Sequence, residues 1–502
     1  MKTRYVDLNS LLQAANLLVA GLLVYVIWRG DSLPPNDYMD SFSVVLGLLL
    51  CAQTACALWI ERRRRDPFFL LLAAWMILYF QFRVYTLAML PFSLVFDRFP
   101  YAPADSNVAL VYILIANLCL YGGFYAVRFR GNLRMDTRDM RGGAPAGVVL
   151  LLLVSILFMY SSGTFWTEDN LPRALIFVST FLGSQMVILM AMTYLLLFHR
   201  SLPRVFVFAI GGLILLEMVA HTLWGSRSAI MGFAQFLLIA ALAVLGTLRF
   251  ARRTVILGIL LLPLAVVVLV ITFTISSYNR IARAGANSLE VGRALAAASE
   301  SADELGDSPL VDVLLPPIAS RAGYFDFAAE IIAHREQYAS VVNPAAYGRS
   351  IIDNILTPGF DLFDQPKTSN ALRFIYLDSG APSKTIVQQE YHSDQLDLYG
   401  EMFGLFGYFS LALLPLIAIA FKSFYVKISD PNPFRAGVKR AVVLLCFIHF
   451  IDSFGIDWLV AEMIPYVVAI FLFSVLFTVR RARQDPSQPP AALPTTEMIG
   501  SH

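Results

Sequence analysis

Charge is scarce in this chain. Of its 502 residues only 15% are charged, against about 25% in soluble globular domains, and that shortage excludes an ordinary water-soluble enzyme. Cysteine is equally sparse. Cys51, Cys56, Cys119 and Cys446 all fall inside apolar runs, so no disulfide framework is expected outside them. Ligands with metal-binding spacing are missing too, and no metal site is expected. No fixed-period repeat is present, which argues against a solenoid.

What is abundant is apolar length. Hydrophobic residues make up 58% of the chain and the mean hydropathy is +0.65. Runs of roughly 18 to 25 apolar residues recur, each long enough to cross a hydrocarbon core of about 30 Å. Spans are expected at roughly 11–28, 41–60, 67–90, 107–127, 147–162, 174–197, 205–224, 229–248, 254–275, 402–421, 441–456 and 459–479. The first lacks a small-residue cleavage site after it and reads as a retained helix. The expected fold is all-α: a polytopic helical membrane protein of about 12 transmembrane helices. Residues 1–275 form an N-terminal transmembrane bundle of nine helices, 276–401 one large periplasmic loop, 402–483 three C-terminal transmembrane helices, and 484–502 a disordered cytoplasmic tail rich in Pro, Ser and Thr.

Orientation follows from the basic residues. Arg62 to Arg65 follow the second span, and Arg128, Arg130, Arg134, Arg138 and Arg141 the fourth. Arg200 and Arg204, then Arg249, Arg252 and Arg253, follow the sixth and eighth. Lys422, Lys427, Arg435, Lys439 and Arg440 accompany the tenth, and Arg480, Arg481 and Arg483 the twelfth. Every even-numbered span thus ends in a basic cluster. The pattern predicts both termini on the cytoplasmic side and the loop after the ninth span outside.

Ionisable residues within spans are costly and mark function by default. Here they are one-sided. Arg83 lies towards the outer end of the third span. Glu217 and His221 stand one turn apart in the seventh, followed by Gly225-Ser226-Arg227-Ser228. His449, Asp452, Asp457 and Glu462 surround the last outer hairpin. The cytoplasmic halves of the spans are expected to hold nothing comparable, so the polar groups should share one outward-facing pocket. Blander readings compete at single positions. Arg83 could snorkel to the interface, and Glu217 with His221 could be an interhelical hydrogen-bonded pair.

The loop is mixed. Stretches around 288–305 and 321–337 read as helices, and Asn343-Pro344, Thr357-Pro358-Gly359 and Asp364-Gln365-Pro366-Lys367 read as proline-bearing connections. Arginine forks suit phosphate oxygens. Arg227, Arg280, Arg283 and Arg321, near the outer interface, are candidates for holding a lipid-linked diphosphate. The loop's seventeen acids against nine bases offer the competing fate, local pairing. His392 is the loop's best proton-transfer candidate, since imidazole titrates near neutral pH; the competing reading is a surface histidine. His334, beside Arg335, reads as solvent-facing.

These residues resemble those of bacterial O-antigen and capsule repeat-unit polymerases, integral membrane glycosyltransferases. Gly225-Ser226-Arg227-Ser228 is similar to that family's mid-chain motif, and Arg321 to Arg335 to its arginine-led loop helix. Pro358-Gly359-Phe360 through Pro366-Lys367 is similar to its "P … P-K" stretch. Gly400-Glu401-Met402-Phe403-Gly404-Leu405-Phe406-Gly407 is similar to its lead-in to the next span, with Ser410 where the family often repeats a glycine. The likeness implies transfer of a glycan from undecaprenyl diphosphate to a hydroxyl of a new lipid-linked repeat unit. Arg227, Arg280, Arg283, Arg321 and Lys367 would hold the diphosphate. His392 would act as base, with Glu401 or Asp394 orienting or replacing it, and Arg83, Glu217, His221 and Asp452 would support the site from within the membrane. No cofactor and no nucleic acid are implied; the partners are lipid-linked oligosaccharides, the bilayer and a chain-length regulator. Rival readings are a ligase-like transferase and a transporter or flippase. A transporter calls for broken midplane helices and related halves, and the sequence displays neither.

Overall fold

The computed structural model describes residues 5–30, 37–89, 102–128, 143–162, 186–223, 229–246, 248–261, 264, 323–339, 343–356, 362–363 and 397–452. Nearly all of these are helical. In chain order they form β1 (Tyr5–Asp7), α1 (Leu8–Arg29), α2 (Ser41–Arg64), α3 (Pro67–Met89), α4 (Pro103–Ala126) and α5 (Pro145–Ser162). Then come α6 (Met186–Phe198), α7 (Arg204–Leu223), α8 (Ala229–Leu245) and β2 (Arg249–Ala251). The later elements are α9 (Tyr324–Ala333), α10 (Pro344–Leu356), α11 (Leu398–Phe406), α12 (Ser410–Lys427) and α13 (Pro433–Asp452). Among the described residues, α1, α2, α3, α4 and the run Leu398–Lys427 are long and apolar enough to cross a membrane. The protein is therefore a mostly helical membrane protein.

Local chemistry sets the helix starts. Asp40 accepts from the Ser43 amide at 2.7 Å while Ser43 Oγ accepts from the Asp40 amide, a reciprocal cap on α2. Asp66 accepts from the Phe68 amide with Pro67 in the first turn of α3, where proline costs no hydrogen bond. The same rule revises the expected connection at Asn343-Pro344. Asn343 caps Ala346 at 2.8 Å, and Pro344 opens helix α10 instead of a turn.

The basic clusters gather at one end of the bundle. β1 pairs antiparallel with β2, setting Tyr5 against Ala251, so α1 begins where α8 ends. Arg64 donates to the Tyr125 carbonyl at 2.7 Å, joining the ends of α2 and α4. Lys422, near the end of α12, reaches Asp66 between α2 and α3. Tyr194 near the end of α6 packs edge-on to Phe434 at the start of α13. The described spans joined by these contacts therefore have these ends on one side of the bundle. We call this the basic end.

A knot of rings at that end ties four helices. Phe68 lies 5.1 Å from both Phe124 and Phe447 and 5.4 Å from Tyr425. Beside it, α4 and α12 come close at Gly123, where a Cβ would stand 2.5 Å from the Pro415 carbonyl oxygen. α13 packs on α6 and α8 as well as on α3 and α12.

Two helices depart from the expected regular spans. α3 widens into a π-helical segment over Met76–Gln81. The tenth span starts at Leu398, earlier than expected, and is broken by a 3-10 turn at Gly407–Phe409. Gly407 has φ +55°, open to glycine at little cost. The chain does carry a broken helix, contrary to expectation; two related halves are still not evident in the described elements.

Candidate functional site

The end opposite the basic clusters holds a buried polar assembly. Arg83 projects from α3 about 24 Å along from Pro67 at 1.5 Å per residue and is fully buried. Its Nε and Nη2 both donate to Asp326 Oδ2 of α9, at 2.9 and 2.5 Å, and its Nη1 reaches Thr86 Oγ1 at 3.4 Å. Arg83 therefore does not snorkel. It spends its charge on a carboxylate 243 positions away, drawn from the loop's acid surplus.

α9 is the loop helix expected around 321–337, with one further turn at Arg335–Tyr338. Its sequence Tyr-Phe-Asp-Phe-Ala-Ala-Glu-Ile-Ile is buried on all sides from Tyr324 to Ile332. A helix buried on all sides belongs inside a packed bundle, and α9 packs on α4, α11 and the π segment of α3. Tyr324 meets Tyr79 edge-on at 4.6 Å. One turn beyond Asp326, Glu330 is also buried and accepts from Tyr338 Oη at 2.5 Å.

The lead-in Gly400–Gly407 forms the seat for α9. Asp397 caps α11 through the Gly400 amide at 2.5 Å. Gly400 lets the helices meet: a Cβ there would lie 3.1 Å from Ala328 Cα and 3.2 Å from Ile331 Cδ1. Glu401 is buried in the first turn of α11, its amide bonded to the Asp397 carbonyl at 3.0 Å. Arg335, exposed, holds the Gly404 carbonyl at 3.5 Å, and its guanidinium lies 5.8 Å from the centre of the Phe403 ring. A Cβ on Gly407 would meet that guanidinium at 3.0 Å. His334, expected to face solvent, is half-buried, and its amide bonds the Glu330 carbonyl at 2.8 Å.

Beneath the seat runs a buried polar chain. Tyr399 packs against Trp75 and Phe80 at 5.5 and 5.4 Å, and its hydroxyl points to Asn117 Oδ1 at 3.3 Å and Met76 Sδ at 3.5 Å. Asn117 donates to Gln53 Oε1 at 2.7 Å, and Gln53 donates to the Leu114 carbonyl at 2.8 Å. Gln81, last residue of the π segment, donates to Thr54 Oγ1 at 2.7 Å. The widened turn coincides with the place where α3 meets Tyr399, as π-bulges often mark functional contacts.

Of the sequence-predicted residues, Arg83 and Glu401 belong to this assembly. Glu217 sits elsewhere: it is buried between α7 and α5 and accepts from Ser155 Oγ at 2.9 Å. The structure thus gives Arg83 and Glu217 separate partners in separate helix pairs. His221 lies on α7 and its side chain is outside the described residues, while Asp452 is half-buried in the last turn of α13, with His449 half-buried a turn before it. Arg227, Arg280, Arg283, Arg321, Lys367, His392 and Asp394 lie outside the described residues, as do Asp457 and Glu462.

Asp326, Glu330, Asp397 and Tyr399 escape sequence reading. The available signal is the composition of α9, eight of whose ten residues are apolar. The expectation of an unremarkable basic half is wrong. Lys422 and Asp66 form a fully buried ion pair there, with Lys422 also donating to the Phe124 carbonyl. Glu61 is buried nearby against Asn9. The basic side chains beside them in sequence give these acids the look of surface charge.

No family model matches the chain, and neither a curated protein nor a solved structure matches it.

Proposed function

We propose that the protein is a polysaccharide polymerase of the bacterial inner membrane. It joins lipid-linked oligosaccharide units at the periplasmic face by glycosyl transfer from undecaprenyl diphosphate. What carries the reading is the seat of α9: the Gly400–Gly407 lead-in packs against the loop helix, and the buried Arg83–Asp326 pair fixes that helix to the bundle. Helix α9, so anchored, has a fixed position at the end away from the basic clusters. Reactive groups on its flanks would inherit that position, and fixed geometry is a large part of catalysis between two bulky substrates.

In this reading twelve spans place both termini in the cytoplasm and residues 276–401 in the periplasm. Arg227, Arg280, Arg283, Arg321 and Lys367 grip the diphosphate and stabilise charge building on it as the glycosyl bond breaks. His392 takes the acceptor hydroxyl proton, with Asp394 or Glu401 orienting it. The anomeric carbon passes from the diphosphate oxygen to the acceptor oxygen, and undecaprenyl diphosphate departs. A chain-length regulator is the expected protein partner.

The test is direct. Purified protein in liposomes, given lipid-linked repeat units without added nucleotide or metal, should yield a ladder of elongated products; unchanged substrate from well-folded protein refutes the reading. Transfer of preformed chains to an unrelated acceptor, without a ladder, would identify a ligase. A reporter fused near residue 300 should behave as periplasmic.

A further inference from the structure

A second acidic group stands apart from the anchored loop. Glu217 lies about 20 Å along α7 from Arg204, and Ser155 about 15 Å along α5 from Pro145, at 1.5 Å per residue, so both sit deep within their helices. Glu217 is 1% exposed. Its Oε1 accepts from Ser155 Oγ at 2.9 Å, and its Oε2 is enclosed without a hydrogen-bond partner among the described residues. α7 packs mainly on α5, α6 and α8. None of these three helices contains Asp, Glu, Lys, Arg or His; their titratable groups are Tyr160 on α5 and Tyr194 on α6, and Tyr194 Oη is directed to the Gly143 carbonyl at 3.4 Å. On α7 itself the other titratable groups are Arg204 at its start and His221 one turn beyond Glu217.

An ionised carboxylate in such a place would be costly, because taking a charge out of water is penalised unless a cation or donors offset it. A single hydroxyl donor does not. A carboxylic acid is neutral, and its O–H supplies the donor that the enclosed oxygen otherwise lacks.

We propose that Glu217 is a proton-binding site within the membrane, a carboxyl that takes its proton from water and holds it in the α5–α7 helix pair, independently of the glycosyl-transfer site.

The full-length protein in phosphatidylcholine liposomes tests this in two ways. Infrared spectroscopy at neutral pH separates the C=O stretch of a carboxylic acid from a carboxylate band. Glu217→Gln should remove one acid band and leave the carboxylate region unchanged; loss of carboxylate intensity, or no loss of acid intensity, overturns the proposal. Dicyclohexylcarbodiimide provides the second readout. The acid adds across one C=N bond, its oxygen bonding the central carbon and its proton going to nitrogen. Acyl transfer to nitrogen then leaves an N-acylurea that keeps every reagent atom. Mass spectrometry should find this adduct on the Glu217 peptide, at least tenfold less of it at high pH, and none in Glu217→Gln. Equal labelling by a water-soluble carbodiimide would show a solvent-reached carboxylate and sink the idea, whatever the fate of the polymerase assay.

Discussion

Two buried ion pairs, one at each end of the bundle, have opposite surroundings. At the basic end, Lys422 meets Asp66 and the Phe124 carbonyl, while Asp66 also caps α3. Every partner there belongs to a span or to the tight junction between two spans. At the other end, Arg83 of α3 meets Asp326 of α9, an element borrowed from the long segment between spans. The first pair closes the scaffold on itself. The second connects the scaffold to the part of the chain that the proposed chemistry needs. Removing one member of a buried pair costs more than removing both, since the survivor is left charged in a poorly polarisable interior. The two pairs should therefore respond alike in stability and differently in activity.

Breaking the scaffold pair should have the largest effect. Asp66→Ala leaves Lys422 buried with a carbonyl as its acceptor and removes the α3 cap, a loss of about 3–5 kcal/mol. Membrane levels and detergent melting should collapse. The double variant Asp66→Leu with Lys422→Met should recover most of the loss, and a double variant as unstable as the single would show that the pair's charges are not the issue. Arg83→Met should come next. It strands Asp326, again at about 3–5 kcal/mol, but Arg83→Met with Asp326→Leu should restore melting while leaving no elongation ladder. Full activity in that double variant would separate α9 anchoring from function.

The helix seat tests the comparison more gently. Gly400→Ala pushes a methyl against Ala328 Cα and Ile331 Cδ1, and overpacking of this kind costs about 1–3 kcal/mol. Elongation should fall while the spans stay folded, as read by unchanged melting of the ring cluster around Phe68. A matching substitution at Gly123, whose Cβ would strike the Pro415 carbonyl, should instead lower overall stability.

How much of this the chain reveals beforehand depends on the length scale of the signal. The five membrane-length helices among the described residues are legible because twenty consecutive apolar residues have few alternatives to a membrane helix. The start of α10 is misread because Pro344 has two meanings, turn or first helical residue, and only the Asn343 cap decides between them. α9 is found but its burial is not. The helix is only ten residues long and carries two acids, and shortness hides whether a helix lies on the bundle or within it. The ion pairs are beyond reading. Arg83 and Asp326 are 243 positions apart, and nothing local couples them. Lys422 and Asp66 sit in stretches rich in surface-like charge, so their burial has no local mark.

The smallest effect belongs to a pair that only resembles these two. Asp430, in the connection between α12 and α13, accepts from Lys439 Nζ at 2.8 Å and from Arg435 Nε at 3.2 Å. Its partners' side chains are more than a third exposed. Burial by itself would raise the carboxyl's pKa, but the hydrogen bonds from Lys439 and the Asn432 amide, with the charges of Lys439 and Arg435, hold it below the ordinary aspartate value of 3.8. A lowered value in the folded state gives a contribution fully present above pH 3.8 and lost as pH falls through the folded value. The Asp430 side chain is little exposed, but its partners reach water, where salt screens them, so the contribution should be about 0–1 kcal/mol. Asp430→Asn should thus leave neutral-pH melting almost unchanged and flatten only the acid limb of the stability curve. A drop at neutral pH as large as that of Asp66→Ala would show that exposure fails to distinguish this pair from the buried ones.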